Sequence, residues 1–463
     1  MLVEKKEECG VVGIISKKGK SVTPALYNAL IALQHRGQDA TGMVVQQKNK
    51  ELNQIRGLGL VSDVFKEEDL KIEAEIGIGH TRYPTTGRCH ECDIQPLVYD
   101  NVSVAHNGHI SAYDRLRKEL EDKGYKFMSR VDSEVLLYFL HKEKTNIEKA
   151  VKTTLDEVDG SYSAAGILND SLVVFRDPHS IRPLVWGENE DYICFASESV
   201  ALDINGVTLN GDVKGGEIVI IDNKTKQVTK KTLNSKEPYM CMFEYVYFSR
   251  PDSIINGRSV FEARKKLGDE LAKEQPVDAD VVIPIPDTAR TAGQSYAEKL
   301  GMRYEEGFIK NRYIGRTFIM PSQEKRAEAV RLKLNLVKEV IVGKRVVLVD
   351  DSIVRGTTLK EIIGMVRAAG AKEVHLRITS PPIKAPCYYG VDMSTYSELI
   401  AHNKSIEEIR KYLGVDSLGY LSIDGLKRAI DLPLCTGCLN EEYPTKYGRD
   451  KRGSKERMKN GCG

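Results

Sequence analysis

The stretch VVLVDDSIVRGTT, Val346 to Thr358, constrains this 463-residue chain more than any other. Four apolar residues read as a buried strand, and two adjacent acids, Asp350 and Asp351, sit where it ends. A small, hydroxyl-rich turn follows, Arg355-Gly356-Thr357-Thr358, and then LKEIIGMVRAAGA reads as an amphipathic helix with Gly370 near its end. The turn's N–H groups and hydroxyls, helped by the positive end of that helix, suit a phosphate. The carboxylates before it suit the vicinal hydroxyls of a ribose. The spacing is not that of a Walker loop, because GxxxxGK[ST] is absent and the acids precede the turn.

The rhythm around this stretch is strand–helix alternation from about Asp278: ADVVIPIP, ARTAGQSYAEKLG, RVVLVDD with its helix, then EVHLRITSPP. Such alternation implies an α/β domain whose parallel sheet binds its ligand at the carboxyl ends of the strands. Up to about Asp222 the pattern differs. CGVVGIIS, TGMVVQQ, SVAHNG, SAAGIL, SLVVF and EIVIID read as strands, and VTPALYNALIALQHR and DSEVLLYFLHKEK as helices, an α+β arrangement. Leu233 to Ser253 lies between the two regimes as a bridge. The last stretch, 446–463, is basic and poor in apolar residues, which reads as a frayed tail.

Composition removes several function classes. With 68 basic against 66 acidic residues the net charge is +2, so nucleic acid is not an expected partner. No apolar run approaches the roughly 20 residues that span a bilayer. The opening MLVEKKEEC lacks the apolar core of a signal peptide, which makes the cytoplasm the expected compartment. Nine cysteines, odd in number and irregularly spread, argue for catalysis or metal binding rather than a disulfide framework.

The segment around Asp350 resembles the 5-phosphoribosyl-1-pyrophosphate (PRPP) signature of the phosphoribosyltransferases. The resemblance implies displacement of pyrophosphate from the anomeric carbon, with Asp350, Asp351, Ser352, Arg355, Gly356, Thr357 and Thr358 on the substrate. It also implies a magnesium ion at Asp350, Asp351 and Thr288, the last in PIPDT where serine is the commoner residue. Hard oxygen ligands suit that ion. Ile309 to Gln323 would be a loop closing over PRPP, with Lys310, Arg312 and Arg316 offering charge to pyrophosphate.

Near the amino terminus, Cys9 is followed by LQHRGQDATG (Leu33–Gly42), GHTRYPTTG (Gly79–Gly87), AHNGHI (Ala105–Ile110) and VDSEVL (Val131–Leu136). In this order they resemble the amino-terminal-nucleophile glutamine amidotransferases, whose fold is four-layered, αββα. In that family the cysteine is residue one of the mature chain, so MLVEKKEE reads as a propeptide. A free α-amino group, with a pKa of about 7.7–8.0, takes the thiol proton and makes a separate histidine unnecessary. The match assigns the oxyanion hole to Asn107 and Gly108, the glutamine carboxylate to Arg82 and its ammonium to Asp132. Asp132 also reads as the N-cap of the helix that follows. Pro84 stands where serine or alanine is expected, and the same loop carries Cys89-His90-Glu91-Cys92. That lone CxxC has no second ligand pair at zinc spacing and reads as an exposed loop.

Together the two resemblances imply a propeptide at 1–8, a glutaminase domain at 9–232, a bridge at 233–253, a phosphoribosyltransferase domain at 254–445 and a tail at 446–463. Ammonia from glutamine would attack PRPP, the first committed step of purine synthesis, in a homotetramer under purine-nucleotide feedback. Cys241, Cys387, Cys435 and Cys438 match an iron–sulfur branch holding a [4Fe–4S] cluster. A zinc site or ordinary packing are the other readings of these four thiols. Cys194 reads as core. Two other functions compete: a PRPP-binding transcriptional regulator, which needs a DNA-binding face, and another glutamine-dependent synthase, whose acceptor half would lack VVLVDDSIVRGTT.

Overall fold

The computed structural model describes residues 9–83, 90–311 and 332–451. Side-chain alternation organises its first half. In the strand Gly10–Ser16, Val11 and Ile15 enter a core between two sheets, while Val12 and Ile14 pack with Leu26 and Leu30 of the helix Thr23–Ala32. This strand lies between Tyr192–Ala196 and Ile76–Arg82 in a seven-stranded antiparallel sheet. Facing it is a six-stranded antiparallel sheet in which Val102–Ile110 lies between Leu97–Tyr99 and Gly160–Leu168. The outer face of that second sheet is covered by Ser133–Lys142 and Ile147–Glu157. The layers are therefore helix, sheet, sheet, helix, the αββα order expected.

The second half is the expected parallel α/β domain. Arg345–Asp350 is the middle strand of five, flanked by Val281–Pro284 and Glu373–Ile378, with Arg303–Tyr304 and Ser417–Tyr420 at the edges. Val346 through Val349 are fully buried because helices cover both faces. Val346 and Leu348 pack with Thr357–Ala368 and Ile406–Leu413, and Val347 and Val349 with Val260–Glu274 and Arg290–Leu300.

The bridge joins these units by burial. Its strand Met240–Cys241 pairs in parallel with Leu434–Cys435, and Met242, Phe243, Tyr245, Val246 and Phe248 enter a core continuous with both domains. Each such side chain stabilises by roughly 1.5–3 kcal/mol. The tail begins later than composition suggested. Lys446–Asp450 is a short helix capped by Thr445, and the Tyr447 N–H donates to Asp159 of the first domain at 2.8 Å. Tyr443 packs tilted and Tyr447 edge-on against Tyr388, a contact that charge counting does not reveal. Residues 1–8, expected to be a propeptide, and residues 452–463 lie outside the described residues.

Candidate active site

The two-residue period brings the first functional side chains together. Counting back from Val11 places Cys9 on the inter-sheet face; His80 and Arg82 follow Ile76 and Ile78 onto it, and Asn107 follows Ala105. Cys9 is buried, its thiol 3.9 Å from the Tyr83 carbonyl. Its own carbonyl accepts from Arg36 Nε at 2.9 Å. Arg36 in turn meets Glu198 at 2.7 Å and Glu244 of the bridge with both terminal nitrogens, at 2.9 and 2.8 Å. None of these arginine and glutamate roles was assigned from sequence, although Arg36 lies inside the LQHRGQDATG motif.

Among the described residues, buried Asn107 Nδ2, Arg82 Nε and Asp132 Oδ1 have no hydrogen-bond partner, and neither do the ring nitrogens of His80 and His106. Two donors and one carboxylate oxygen are the complement of a carbonyl, a carboxylate and an ammonium, the three polar ends of glutamine. Leaving such groups unsatisfied costs about 1–3 kcal/mol each, so a ligand that meets them is favoured. Arg82 is not a free fork, because one terminal nitrogen already donates to the Asp93 carbonyl. Asp132 does sit at the N-cap of Ser133–Lys142, but its side chain does not cap that helix. Its Oδ2 instead accepts the Ile110 N–H at 2.8 Å. Burial pushes its pKa up, opposed chiefly by His109, whose Nδ1 lies 3.5 Å away. Burial disfavours the charged form of the neighbouring imidazoles as well. Burial and then Arg82 hold His106 down to about 3, His80 is lowered by the same causes, and burial lowers His109.

Gly108 has φ +140°, and a Cβ there would lie 1.9 Å from the Ser161 carbonyl oxygen. Only glycine fits, and the close approach fixes this stretch of strand against its neighbour.

At the other end, Asp350 and Asp351 stand at the carboxyl end of the middle strand. Asp350 accepts the Asp351 N–H at 2.9 Å. Asp351 accepts from the Ser352 hydroxyl at 2.8 Å and, through its other oxygen, from Thr288. Gly356 supplies the left-handed residue, φ +76°, that turns the chain into the helix Thr357–Ala368. Lys310 reaches Asp287 at 2.6 Å, whereas Arg355 turns to Glu398 at 2.7 Å. Arg312 and Arg316 lie outside the described residues. A cavity of about 430 Å³ opens here. Thr288, Lys310, Thr358 and both aspartates line it, and so do His35 and Arg36 of the first domain and Tyr247 of the bridge.

Cys241, Cys387, Cys435 and Cys438 share one small buried cavity walled by Phe243, Val391 and Tyr443. Cys241 and Cys435 are register partners in the short parallel pair. The Tyr389 N–H donates to the Cys387 sulfur at 3.3 Å, and the Gly437 N–H to that of Cys435. Burial pushes the Cys435 thiol up to about 12 and holds Cys438 well above its ordinary value. Among the described residues no three histidine, cysteine or acidic side chains converge closely enough to ligate one metal ion. Cys194 is core, and His90, Glu91 and Cys92 are exposed, as expected; Cys89 and Cys462 lie outside the described residues. Among the described residues no helix is long and apolar enough to cross a membrane.

Known proteins agree with both ends of this arrangement. Residues 80–203 match the glutamine amidotransferase domain family and 256–409 the phosphoribosyl transferase domain family. The amidophosphoribosyltransferase of Methanocaldococcus jannaschii is 48% identical, the alignment covering 96% of this chain and 99% of that protein. That of Methanothermobacter thermautotrophicus is 46% identical over 96% of each. The solved glutamine PRPP amidotransferase of B. subtilis, complexed with ADP and GMP, superposes with a TM-score of 0.88 at 40% identity, over 95% of this chain and 98% of that one. With both domains matched in order and nearly every residue aligned, this chain belongs to the amidophosphoribosyltransferase family.

Proposed function

We propose that the chain converts glutamine, PRPP and water to 5-phosphoribosylamine, glutamate and pyrophosphate, at the first committed step of purine synthesis. The observation that carries this reading is that Arg36 belongs to both half-sites: it grips the Cys9 carbonyl and also lines the cavity that holds Asp350 and Asp351.

The chemistry follows from the residues. Cleavage between Glu8 and Cys9 frees an α-amine, which takes the thiol proton. The thiolate adds to the glutamine side-chain carbonyl, while Arg82 and Asp132 hold the carboxylate and ammonium. Asn107 Nδ2 and the Gly108 N–H take the oxyanion. Collapse expels ammonia, protonated by the same α-amine, and water then hydrolyses the thioester to glutamate. Ammonia, released on the Cys9 side of Arg36, displaces pyrophosphate from the anomeric carbon with its lone pair. Lys310 meets the pyrophosphate, the Thr357–Thr358 helix end the 5-phosphate, and Asp350 and Asp351 the ribose hydroxyls. Arg312 and Arg316 would add charge. Asp350, Asp351 and Thr288 are a hard-oxygen set that fits magnesium, which when bound neutralises charge on the leaving pyrophosphate.

The four buried thiols fit a [4Fe–4S] cluster better than zinc, because they surround a cavity rather than converge on one point, and N–H donors already face two sulfurs. Neither half-reaction moves an electron, so this group would be structural. Purine nucleotides as inhibitors, a homotetramer and a cytoplasmic location complete the reading. ADP and GMP in the B. subtilis structure support the first of these.

Glutamate release and phosphoribosylamine formation, measured with and without PRPP, test the proposal. Glutamine hydrolysis with no phosphoribosylamine product would point to a different acceptor. Absence of hydrolysis would refute the first half.

A further inference from the structure

The peptide that follows Cys387 leans on the strand that carries Gly108. The Tyr389 carbonyl accepts from the Ser161 hydroxyl at 2.8 Å and from Arg182 Nε at 3.1 Å, and Arg182 Nη2 donates to it as well. The Ser111 hydroxyl donates to the Tyr388 carbonyl at 3.1 Å. Gly390, at φ +104°, lies so close that a Cβ would sit 3.1 Å from Arg182 Nη2 and 3.3 Å from the carbonyl atoms of Gly108.

Ser161 is the pivot of this contact. Its hydroxyl holds Tyr389, and its own carbonyl oxygen occupies the space where Gly108 has no side chain. A carbonyl oxygen has two lone pairs, so with three donors on it the Tyr389 peptide is saturated and tightly located. On its other side the Tyr389 N–H faces the Cys387 sulfur. The chain of contacts therefore runs from the thiol-lined cavity through Tyr389 and Ser161 to Gly108. None of Ser111, Ser161, Arg182 or Tyr388–Gly390 lines the PRPP cavity.

We infer that Tyr388–Gly390 is a positioning element of the glutaminase half-site, bracing Ser161 against Gly108 so that the Gly108 N–H stays aimed at the oxyanion. The inference rests on the reading of Asn107 and Gly108 as the oxyanion hole. Glutamine hydrolysis depends on this peptide in a way that phosphoribosyl transfer from free ammonia does not. A merely structural brace would affect both reactions, and both ground-state and tetrahedral ligands, alike.

The test compares two ligands on the processed, iron-loaded enzyme. The γ-aldehyde of glutamate adds the Cys9 S–H across its C=O, the sulfur bonding to carbon and the proton going to oxygen, so its tetrahedral oxygen sits in the hole. Glutamate itself does not. Direct loss of an oxyanion donor costs about 10²–10³-fold, so an indirect displacement in Ser161→Ala is expected to weaken the aldehyde about tenfold. Glutamate affinity and the KM for glutamine should hold within about twofold while kcat falls, since only transition-state contacts are lost. Ammonia-dependent synthesis should persist, and Ser161→Thr should restore aldehyde binding. If Ser161→Ala does not fold, Ser111→Ala, which removes one hydrogen bond to the same peptide, is scored by the same two affinities. Equal weakening of both ligands, or unchanged aldehyde affinity in folded Ser161→Ala, overturns the inference. A parent enzyme that binds no aldehyde and hydrolyses no glutamine overturns the glutaminase reading as well, a separate and recognisable result.

Discussion

Replacing Glu244 with glutamine tests the link between the halves most directly. Glu244 is almost fully buried, and it accepts two hydrogen bonds from Arg36 and one from the Ser249 hydroxyl at 2.8 Å. Arg182 stands 3.6 Å from the same carboxylate. With Glu198 the group is balanced, two arginines against two glutamates. The substitution removes one negative charge and turns an amide donor towards guanidinium donors. Breaking a buried pair in this way costs about 3–5 kcal/mol, because the remaining charge is left uncompensated. Glu244→Gln should therefore lower the denaturant midpoint of the cooperative transition and depress glutamine-dependent more than ammonia-dependent synthesis, since Arg36 positions Cys9. The pH dependence has a definite sign. Burial works against the Glu244 charge, but Arg36 and then Arg182 outweigh it and hold the pKa below its ordinary value. A depressed folded-state pKa gives stability that is present above the unfolded value of about 4.3 and lost as pH falls through the folded value. The parent's stability advantage over the variant should thus be largest at pH 7 and shrink as pH falls below the unfolded value. Urea titrations at pH 7 and pH 4 decide the matter. A variant as stable as the parent at both would refute the argument that this network is a net stabilising link.

Other perturbations separate the remaining elements. Cys9→Ala should abolish glutamine-dependent synthesis and leave synthesis from ammonia largely intact; loss of both in a folded variant would contradict the division of labour between domains. Intact-mass analysis of the same variant should find the first eight residues retained if the Cys9 thiol performs its own processing. Asp350→Asn combined with Asp351→Asn should raise the KM for PRPP, each lost charge-assisted hydrogen bond contributing roughly 1.5–3 kcal/mol or about ten- to a hundredfold. Basal glutaminase should change much less, and an unchanged PRPP affinity would count against the assigned site. Cys438→Ser should remove the brown colour and about four irons per chain and expose the carboxy-terminal segment to protease. Colourless, fully active parent protein would refute the cluster.

The fold was legible where side-chain period and strand type alone decide the structure. Alternation in CGVVGIIS and the unbroken apolar run of RVVLVDD told the antiparallel and parallel halves apart, and both strands form where expected. The site was legible where chemistry is local in sequence: the acids at one strand end, or Asn107 beside Gly108. Residues that act across long separations were not. Arg36 and Glu244 are 208 positions apart, and Ser161 and Tyr389 are 228 apart. A serine in a strand or a glutamate in an apolar segment carries no sign of its distant partner. The tail boundary failed for the same reason, since its anchors are tyrosines on another segment and a carboxylate in the other domain.

The charge on the cavity wall bears on what can pass between the half-sites. Arg264, buried, donates to the carbonyls of Tyr245, Tyr247 and Ser249 and so ties down the bridge with a cation. Burial lowers its pKa to about 10, yet it stays protonated at neutral pH. Arg36, Arg250 and Arg264 line the glutaminase side of the cavity and, among the described residues, no acid lines it there, although Glu198 and Glu244 pair with Arg36. An ammonium ion is repelled there, and the repulsion is strong because buried charges are weakly screened. Neutral ammonia feels no such barrier and is also the form with a lone pair to attack an anomeric carbon. The acids Asp287, Asp350 and Asp351 line the same cavity beside the phosphoribosyl site, where positive charge developing on the attacking nitrogen is favoured. The same walls that bind the two domains together thus select the reactive protonation state on the way in and stabilise its product on arrival.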